Sequence, residues 1–460
     1  MSAGALVTPT RILIVGSGGR EHALAWKLGA EPGINEVTVA PGSAGIALEP
    51  RVRRLAGVDP LDGAAVLAAA RAEAVELVVI GPEAPLAAGV ADALSAAGIV
   101  VFGPSAAAAR IEASKSFCRE IAQAARVPMA RGRTFAPGDA AAAGAFARQL
   151  AADGRGVVIK ADGLSGGKGV TVCDTADEAI LAISALGGPV VVEERLEGRE
   201  VSLIALVDGV DALALPFARD HKRLGDGDLG PNTGGMGAFS PVSDVPDEDA
   251  VDYVQRFHGP VLAELARRGT PFRGALYAGL MLTDAGPRLL EFNARFGDPE
   301  TQVVLPRLAT ALGPLLLAAA RGRLGDARRA LGLADVRLPV IPGAAVGIVL
   351  AAAGYPEAPI GGDVIAGLSE AATSGRGPLI FHAGTERAAD ATWRTRGGRV
   401  LTVVATGPDL AAARVAVETA ADSLSWPGMQ RRHDIAAATP AAPTPRAPAP
   451  AFAATPAGAR

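Results

Sequence analysis

Short, fully apolar runs separated by Ala-rich helical stretches constrain the fold of the first quarter of the chain. The runs end in Gly or Pro turns, and they occupy residues 12–15, 37–39, 77–80 and 99–102. Strands that are apolar on both faces and alternate with helices are typical of a parallel sheet covered on both sides. We therefore predict an N-terminal α/β domain whose ligand binds beyond the carboxyl ends of the strands.

The rest of the chain predicts further strand-rich units. Apolar runs indicate strands at 157–160, 170–172, 190–193, 201–207, 276–282, 288–293, 345–350, 379–382 and 400–405. Helices are expected at 112–126 and 312–332. The Gly/Asp/Pro stretch 219–241 is expected to be a loop, and a loop of that length is usually functional. Residues 437–460 are mostly Ala, Pro and Thr, which predicts a disordered tail.

Composition excludes several classes of function. The chain has 460 residues, enough for roughly three domains, and a formal net charge of −4, so it lacks the basic patch expected for nucleic-acid binding. Its two cysteines form no metal or disulfide pattern. A signal peptide and an apolar run of roughly 18 residues, the length of a membrane span, are not apparent. We expect a soluble cytoplasmic protein.

The first glycine-rich turn follows the first predicted strand and consists of Gly16, Ser17, Gly18, Gly19, Arg20 and Glu21. A turn that opens a helix offers free backbone N–H groups to a phosphate or carboxylate. A dinucleotide fingerprint is disfavoured, because Glu21 replaces the third glycine and no acid follows about 20 residues later. The remaining interpretations are a site for a smaller phosphorylated ligand and a tight turn without a ligand.

The second glycine-rich turn lies between two predicted strands and contains Gly163, Ser165, Gly166, Gly167, Lys168 and Gly169. Gly169 excludes a phosphate-binding loop of the GxxxxGK[ST] type, which needs Ser or Thr there. Four glycines let backbone amides approach phosphate oxygens closely, and Lys168 adds a positive charge. We predict a mobile phosphate-binding flap, with a plain hairpin as the alternative.

Polar residues on the later strands predict a nucleotide and metal site. Glu291, Asn293 and Arg295 share one face of a strand, and a carboxylate beside an amide oxygen suits Mg²⁺. Glu193 and Glu194 end another strand, where backbone groups and an acid could bind adenine and ribose. The alternatives are a solvated edge strand and an acidic surface turn. The stretch 219–241 is dense in donors suited to a small anionic or amino substrate, or it forms a lid without contacts.

The order of these motifs resembles the phosphoribosylamine–glycine ligase family, within the ATP-grasp superfamily. The resemblance runs from about residue 11 to about 435. Its motifs are Val15–Leu24 (VGSGGREHAL), GPEAPL at 81–86, VFGPS at 101–105, KADG at 160–163, DHKR at 220–223, GPNTGGMG at 230–237, EFNARFGDPETQ at 291–302 and RRHDI at 431–435.

The resemblance implies an α/β multidomain fold and a monomer acting on small molecules. Its domains would be an N-terminal parallel-sheet substrate domain (1–112), a two-part ATP-grasp domain (113–335, with a flap at about 130–198) and a small C-terminal strand-rich domain (336–436). The implied reaction joins glycine to 5-phosphoribosylamine with ATP, giving glycinamide ribonucleotide, ADP and phosphate. Rival interpretations are another ATP-grasp carboxylate–amine ligase, a dinucleotide-dependent oxidoreductase and a non-catalytic nucleotide-binding protein.

The resemblance also implies site residues. Glu291 and Asn293 would hold Mg²⁺ or Mn²⁺, and the catalytic candidates are Lys168, Asp220 and Arg295. The nucleotide would contact Lys115, Lys160, Gly163, Ser165, Gly166, Gly167, Lys168, Gly169, Glu193, Glu194, Leu196 and Glu200. Phosphoribosylamine would contact Gly16, Ser17, Gly18, Gly19, Arg20, Glu21, Pro82, Glu83, Asn232, Thr233, Gly234, Gly235 and Met236. Residues 277–282 lack the extra metal-binding acid of many ATP-grasp enzymes, so the ligand set is expected to be small.

Overall fold

The computed structural model describes residues 6–164, 169–368 and 377–437. Its N-terminal sheet is wholly parallel, with strand order β3-β2-β1-β4-β5, which confirms the predicted α/β unit. The strands are β1 (Arg11–Gly16), β2 (Glu36–Pro41), β3 (Val52–Arg54), β4 (Leu77–Ile80) and β5 (Val101–Phe102). The accompanying helices are α1 (Gly19–Gly29), α2 (Gly63–Ala72), α3 (Glu83–Ala87), α4 (Val90–Ala96), α5 (Ala106–Ala113) and α6 (Lys115–Ala124).

The helix expected at 112–126 is divided at Ser114. The Ser114 side chain accepts a hydrogen bond from the backbone N–H of Phe117 (3.1 Å) and so caps α6. Ser competes with the helical backbone for hydrogen bonds, and this favours it at a helix start over an interior position. The division places Lys115 at the first position of α6.

The second sheet is antiparallel, with strand order β6-β9-β7-β8. Its strands are β6 (Gly132–Phe135), β7 (Val157–Ala161), β8 (Val170–Cys173) and β9 (Val190–Glu194). One face packs on α7 (Ala140–Ala151) and α8 (Ala176–Leu186), burying Val157, Ile159 and Val192. The predicted flap joins β7 to β8, and four of its residues, Ser165, Gly166, Gly167 and Lys168, lie outside the described residues.

The third sheet is also antiparallel and has the order β11-β10-β16-β17. The chain passes here through β10 (Arg199–Asp208), β11 (Ala212–Ala214), β12 (Arg219–Asp220), β13 (Arg223–Gly225), β14 (Leu229–Asn232), β15 (Gly237–Ser240), α9 (Asp249–Tyr253), a π-helical turn (Val254–His258), α10 (Gly259–Arg267), β16 (Arg273–Thr283) and β17 (Gly286–Asn293). Leu203 and Leu206 of β10 enter different cores, which explains why this strand is apolar on both faces.

The prediction of a loop over 219–241 is wrong. Strands β13 and β14 form a hairpin, while β12 and β15 pair with each other, and β15 continues into a sheet built by the C-terminal region. The segment buries Met236, Ala238 and Phe239. These apolar residues are few among Gly, Asp and Pro, so the short strands left only a weak alternating pattern to detect.

The C-terminal region completes a five-stranded sheet with order β12-β15-β18-β22-β19. Its elements are α11 (Glu300–Val304), α12 (Leu312–Ala320), α13 (Leu324–Ala330), β18 (Ala344–Ala351), β19 (Leu379–His382), β20 (Thr385–Arg387), β21 (Trp393–Thr395), β22 (Arg399–Gly407) and α14 (Leu410–Asp422). The helix expected at 312–332 is interrupted between Ala320 and Leu324. Residues 438–460, most of the predicted tail, lie outside the described residues. Among the described helices, none combines the length and apolarity of a membrane span.

Glu31, just beyond α1, connects the N-terminal sheet to α12. Its buried carboxylate accepts hydrogen bonds from the N–H groups of Leu312 (2.5 Å) and Gly313 (2.9 Å). The residue that precedes α12 is Ala311, whose side chain cannot cap. A carboxylate distant in sequence therefore satisfies and neutralises the positive end of this helix.

We expect Glu31→Gln to lower the free energy of unfolding by about 1–3 kcal/mol, because a neutral amide with one acceptor oxygen replaces a carboxylate whose two oxygens each accept a hydrogen bond. Urea denaturation followed by tryptophan fluorescence measures the change. Glu386→Gln, a half-exposed position, should stay within about 0.5 kcal/mol of wild type. Equal stability of the two variants would contradict a capping role for Glu31.

Candidate active site

Lys160 connects the second and third sheets. Its Nζ donates to the carbonyl of Leu290 on β17 (2.9 Å) and pairs with Glu193 Oε2 on β9 (2.7 Å). Glu193 Oε1 in turn accepts from Arg119 of α6 (2.7 Å). Burial opposes the charge on Lys160, but Glu193, with a further contribution from Glu291, more than offsets it, so the pKa of Lys160 is raised. Both carboxylate oxygens of Glu193 are thus engaged in holding cations within the protein.

Glu291, on β17, lies among three lysines from separate elements. Burial alone would raise its pKa, yet Lys222, Lys160 and Lys115 together hold that pKa below its usual value. Lys115 also donates from Nζ to the carbonyl of Gly163 (2.9 Å), at the start of the glycine-rich turn. The junction of the two sheets therefore has the concentrated positive charge that a polyphosphate requires.

Asn293 lies two residues from Glu291 on the same face of β17. Its Nδ2 is directed at Glu291 Oε1 (3.5 Å), which leaves its amide oxygen for another partner. A carboxylate and an amide oxygen side by side fit a hard divalent cation. Among the described residues, no group of three or more His, Cys, Asp or Glu side chains could hold a metal, so these two donors would need oxygens from a ligand or water.

A second polar cluster lies beside the lysines, around Asp220 at the end of β12. Lys222 Nζ pairs with Glu200 Oε2 (2.5 Å). The buried Glu300 carboxylate accepts from Ser202 Oγ (3.2 Å), which also contacts the hydroxyl of Tyr277. Burial raises the pKa of Asp220, Lys222 opposes the rise, and Glu300 and Glu200 add to it. The carboxylates of this corner would therefore stabilise a further cation or a bound proton.

Arg295 ties the end of β17 to the N-terminal sheet. It pairs with Glu83 Oε2 (3.0 Å) and Glu112 Oε1 (2.9 Å). Burial opposes ionisation of Glu83, but Arg295 and Arg20 lower the pKa of Glu83 to about 2. Arg295 was expected to orient a substrate, whereas the structure shows its guanidinium engaged with two protein carboxylates.

The first glycine-rich turn connects β1 to α1 and packs tightly. Gly16 has φ +130°, and a Cβ there would lie 2.7 Å from Glu21 Cγ and 2.9 Å from Pro82 Cδ, so only glycine fits. The Glu21 carboxylate accepts from Gly18 N–H (2.5 Å), while the Arg20 guanidinium donates to the Phe296 carbonyl (3.1 Å). Glu21 Oε1 and Arg20 Nε are buried and face each other as an ion pair at 3.4 Å, and neither has a hydrogen-bond partner in the described part of the chain.

The stretch 232–236 reaches the same corner through Arg399, at the start of β22. Arg399 donates to the carbonyls of Gly234 (2.5 Å) and Asp298 (2.8 Å), and Asp298 Oδ2 accepts from Arg20 N–H (3.3 Å). Sequence reasoning missed Arg399 and Asp298, which bring the two predicted substrate segments together. The Gly397-Gly398-Arg399 sequence before an apolar strand was the available signal.

Other predicted residues take different positions. Thr233 Oγ1 donates to the Lys222 carbonyl (2.8 Å), and Asn232 ends β14. Met236 is fully buried, with its N–H donating to the His221 carbonyl and its own carbonyl accepting from Val349, so its groups are engaged in the sheet. Glu194 pairs with Arg131 (2.6 Å). Ser17 is exposed at the turn, whereas Gly19 is buried. Leu196, beyond β9, is half-buried.

We expect Glu83→Gln to lower the free energy of unfolding by about 2–3 kcal/mol at neutral pH, through loss of the pairing with Arg295 and Arg20. Because the pKa of Glu83 in the fold is about 2, against an ordinary 4.5, its contribution is present above pH 4.5. It is lost as pH falls towards 2. Denaturation at several pH values should show the gap between wild type and variant closing on acidification.

The exposed Glu197 supplies the matched control. Glu197→Gln should follow the wild-type stability within about 0.5 kcal/mol at each pH. A gap for Glu83→Gln that stays constant with pH would show that Glu83 is not held ionised by the two arginines.

Three family models together match most of the chain. They are the Phosphoribosylglycinamide synthetase N domain (residues 10–112), ATP-grasp (A) domain (113–301) and C domain (345–438). Phosphoribosylamine–glycine ligase of Streptomyces coelicolor is 49% identical over 93% of this chain and 99% of its own length, and that of Mesorhizobium japonicum is 45% identical over 92% and 97%. The crystal structure of the Thermotoga maritima ligase aligns with a TM-score of 0.72 and 33% identity, covering 92% of this chain and 100% of its own. The chain belongs to the phosphoribosylamine–glycine ligase family.

Proposed function

We propose that this protein joins glycine to 5-phosphoribosylamine with hydrolysis of ATP, giving glycinamide ribonucleotide, ADP and phosphate, a step of purine biosynthesis. Family membership over nearly the whole chain supports the reaction. The observation that carries the proposal is the placement of Lys115, Lys160 and Lys222 around Glu291 where two antiparallel sheets meet. That arrangement suits the phosphates of a nucleotide.

The chemistry explains why ATP is needed. A carboxylate is a poor electrophile, because attack by an amine would have to expel oxide. Transfer of the γ-phosphoryl group from ATP to a glycine carboxyl oxygen gives glycyl phosphate and ADP. The amine of phosphoribosylamine then attacks the carbonyl carbon, the C–O bond to phosphate breaks, and the amine loses a proton. The protein's part is positioning and charge neutralisation.

We assign the nucleotide to the space between the second and third sheets. Lys115 and Lys160 would contact its phosphates, with the turn 163–169 covering them, and Glu193 would act by holding Lys160. The adenosine would lie near the end of β9, against the backbone at Glu194 and Leu196, with Glu200 nearby. Closing the turn over the phosphates would keep water away from the acyl phosphate.

We assign the divalent cation, Mg²⁺ or Mn²⁺, to Glu291 and Asn293. The donor chemistry fits: one anionic and one neutral oxygen ligand project from the same face of β17. When bound, the cation would neutralise phosphate charge. The protein itself keeps the Glu291 ligand anionic, because the three lysines hold the pKa of Glu291 below its usual value.

We assign phosphoribosylamine to the corner formed by the Gly16–Glu21 turn, Pro82, Glu83 and the stretch 232–236. Helix α1 begins there, with its Arg20 N–H directed to Asp298 Oδ2, and a phosphate is favoured at such a helix end. Arg20 and Arg399 add positive charge from the two sides of this corner. Asp298 lies between the two guanidinium groups and fixes their separation.

Glycine would bind between the nucleotide and this corner. Asp220 lies beside Lys222 and Glu300, where a charged amino group would be stabilised. Arg295 would serve the site by fixing Glu83 and Glu112. We further propose that the protein works in the cytoplasm as a monomer, with small molecules as partners and no nucleic acid, in keeping with its net charge of −4.

Another ATP-grasp carboxylate–amine ligase is the alternative function. A coupled ADP-release assay with phosphoribosylamine generated in situ separates the two. ADP release should require both glycine and phosphoribosylamine, and alanine or serine should not replace glycine. Equal turnover with another amino acid or another amine would favour the alternative.

We expect Glu291→Gln to reduce kcat by about a hundredfold or more, because the variant cannot supply an anionic ligand to the cation. Lys168→Ala, in the turn, should also reduce turnover strongly. The control is Glu264→Gln on α10, which removes an ion-pair partner of Arg267 and Arg268 outside the proposed site and should leave kcat unchanged. Full activity of Glu291→Gln, with unchanged dependence on Mg²⁺, would refute the assigned role.

Isotope transfer tests the acyl phosphate. With ¹⁸O in the carboxyl group of glycine, one labelled oxygen should appear in the released phosphate for each glycinamide ribonucleotide formed, because the C–O bond breaks when phosphate leaves. Mass spectrometry of the phosphate measures it. Unlabelled phosphate would exclude phosphorylation of the glycine carboxylate.

A further inference from the structure

Two buried histidines join α1 to the C-terminal sheet directly behind the first glycine-rich turn. His22 lies in the first turn of α1, next to Glu21, and His382 ends β19; both side chains are fully buried. The backbone N–H of His382 donates to His22 Nδ1 (2.8 Å). The rings stack with centroids 5.6 Å apart. One short hydrogen bond thus connects residues near opposite ends of the chain.

The contacts of His22 define its protonation state. A backbone N–H can only donate, so His22 Nδ1 must present its lone pair. His22 Nε2 lies 3.2 Å from Glu49 Oε1, and a carboxylate accepts, so Nε2 carries the proton. His22 is therefore neutral in this arrangement. A second proton, on Nδ1, would set two donors against each other at 2.8 Å.

The groups around His22 leave little room for rearrangement. Within the described part of the chain, the ionisable groups in contact with its ring are the Glu49 carboxylate and the His382 imidazole. His382 is itself neutral, since burial lowers its pKa to about 3, and its Nδ1 contacts Thr385 Oγ1 (3.0 Å). A Cβ at Gly45 would lie 2.0 Å from the His382 ring, so that ring rests directly on backbone.

We propose that neutral His22 is a positioning residue for phosphoribosylamine and its product: through the hydrogen bond from His382 it holds the Gly18–Glu21 turn against the C-terminal sheet, and protonation of His22 releases the turn. The inference rests on the proposed assignment of that turn to the phosphoribosyl group. The physical basis is direct. Helix α1 begins at the proposed phosphoribosyl site, and the same helical turn is fixed from behind by His22.

The test measures binding of glycinamide ribonucleotide, and separately of ATP, to the full-length protein by calorimetry between about pH 8 and about pH 5. The variant is His22→Asn, whose amide oxygen replaces the Nδ1 acceptor and does not titrate. On acidification, wild type should lose about tenfold more affinity for glycinamide ribonucleotide than the variant does. The ligand phosphate titrates equally with both proteins and cancels in the ratio. ATP affinity should change in parallel for the two.

His258→Asn is the matched control. His258 is another buried histidine, with Nε2 3.1 Å from the Leu276 carbonyl in a separate core, and its variant should keep the wild-type pH dependence. Thermal unfolding at each pH shows that every protein remains folded. An identical pH dependence in wild type and His22→Asn would overturn the inference alone. No binding of glycinamide ribonucleotide by wild type at any pH would overturn the proposed function as well.

Glu49→Gln gives a second, gentler test. Its amide oxygen still accepts from His22 Nε2–H, so the neutral arrangement is kept. Removing the anion disfavours the charged imidazolium, and the acid loss of glycinamide ribonucleotide affinity should shift to lower pH. A shift to higher pH, or none, would contradict His22 as the titrating group.

Discussion

The buried ammonium of Lys160 links the two sheets between which the proposed chemistry occurs. Its ammonium reaches from β7 to a backbone carbonyl on β17, and Glu193 keeps it charged despite burial. A buried ion pair gains little over an apolar pair, but loss of one partner leaves an uncompensated charge. The main effect of the pair is therefore to keep Lys160 charged and fixed in position beside Glu291. A phosphate entering there would meet a cation that needs no reorganisation.

A second set of charges joins the ends of the chain around the proposed phosphoribosylamine corner. Asp298 lies between Arg20 of α1 and Arg399 of β22, and Arg295 connects β17 to Glu83. These contacts come from the N-terminal sheet, the third sheet and the C-terminal sheet. The corner exists only when all three are docked, so its geometry depends on long-range packing.

The sequence predicted those features that rest on local patterns. Apolar periodicity located the parallel sheet and most later strands, and the glycine-rich turn before α1 lies at the predicted edge. The turn at Gly16 could be anticipated because glycine is required where φ is positive and a carboxylate packs close. The strands within 219–241 could not, since their few apolar residues are satisfied by pairing with β18, more than 100 positions away.

Site residues divide in the same way. The side-by-side placement of Glu291 and Asn293 was predictable, because residues two apart on one strand share a face whatever the tertiary arrangement. The partners of Arg295 were not, because Glu83 and Glu112 approach it from other elements only in the fold. Arg399 was not predicted for the same reason: its role depends on hydrogen bonds to the carbonyls of Asp298 and Gly234, which no local pattern encodes.

Charge balance links the two halves of the site. Around Glu291, three lysines and Arg119 face Glu291, Glu193 and Glu200, while burial raises the pKa of Asp220 and so reduces its negative charge. The four cations exceed the three carboxylates by one, so the protein side of the nucleotide region is weakly cationic and would offset part of the negative charge of a triphosphate with its divalent ion. Once the γ-phosphoryl group moves onto glycine, negative charge shifts towards Asp220, Glu200 and Glu300. Protonation of Asp220 would lessen the repulsion in that direction, so its raised pKa suits a site whose charge moves during turnover.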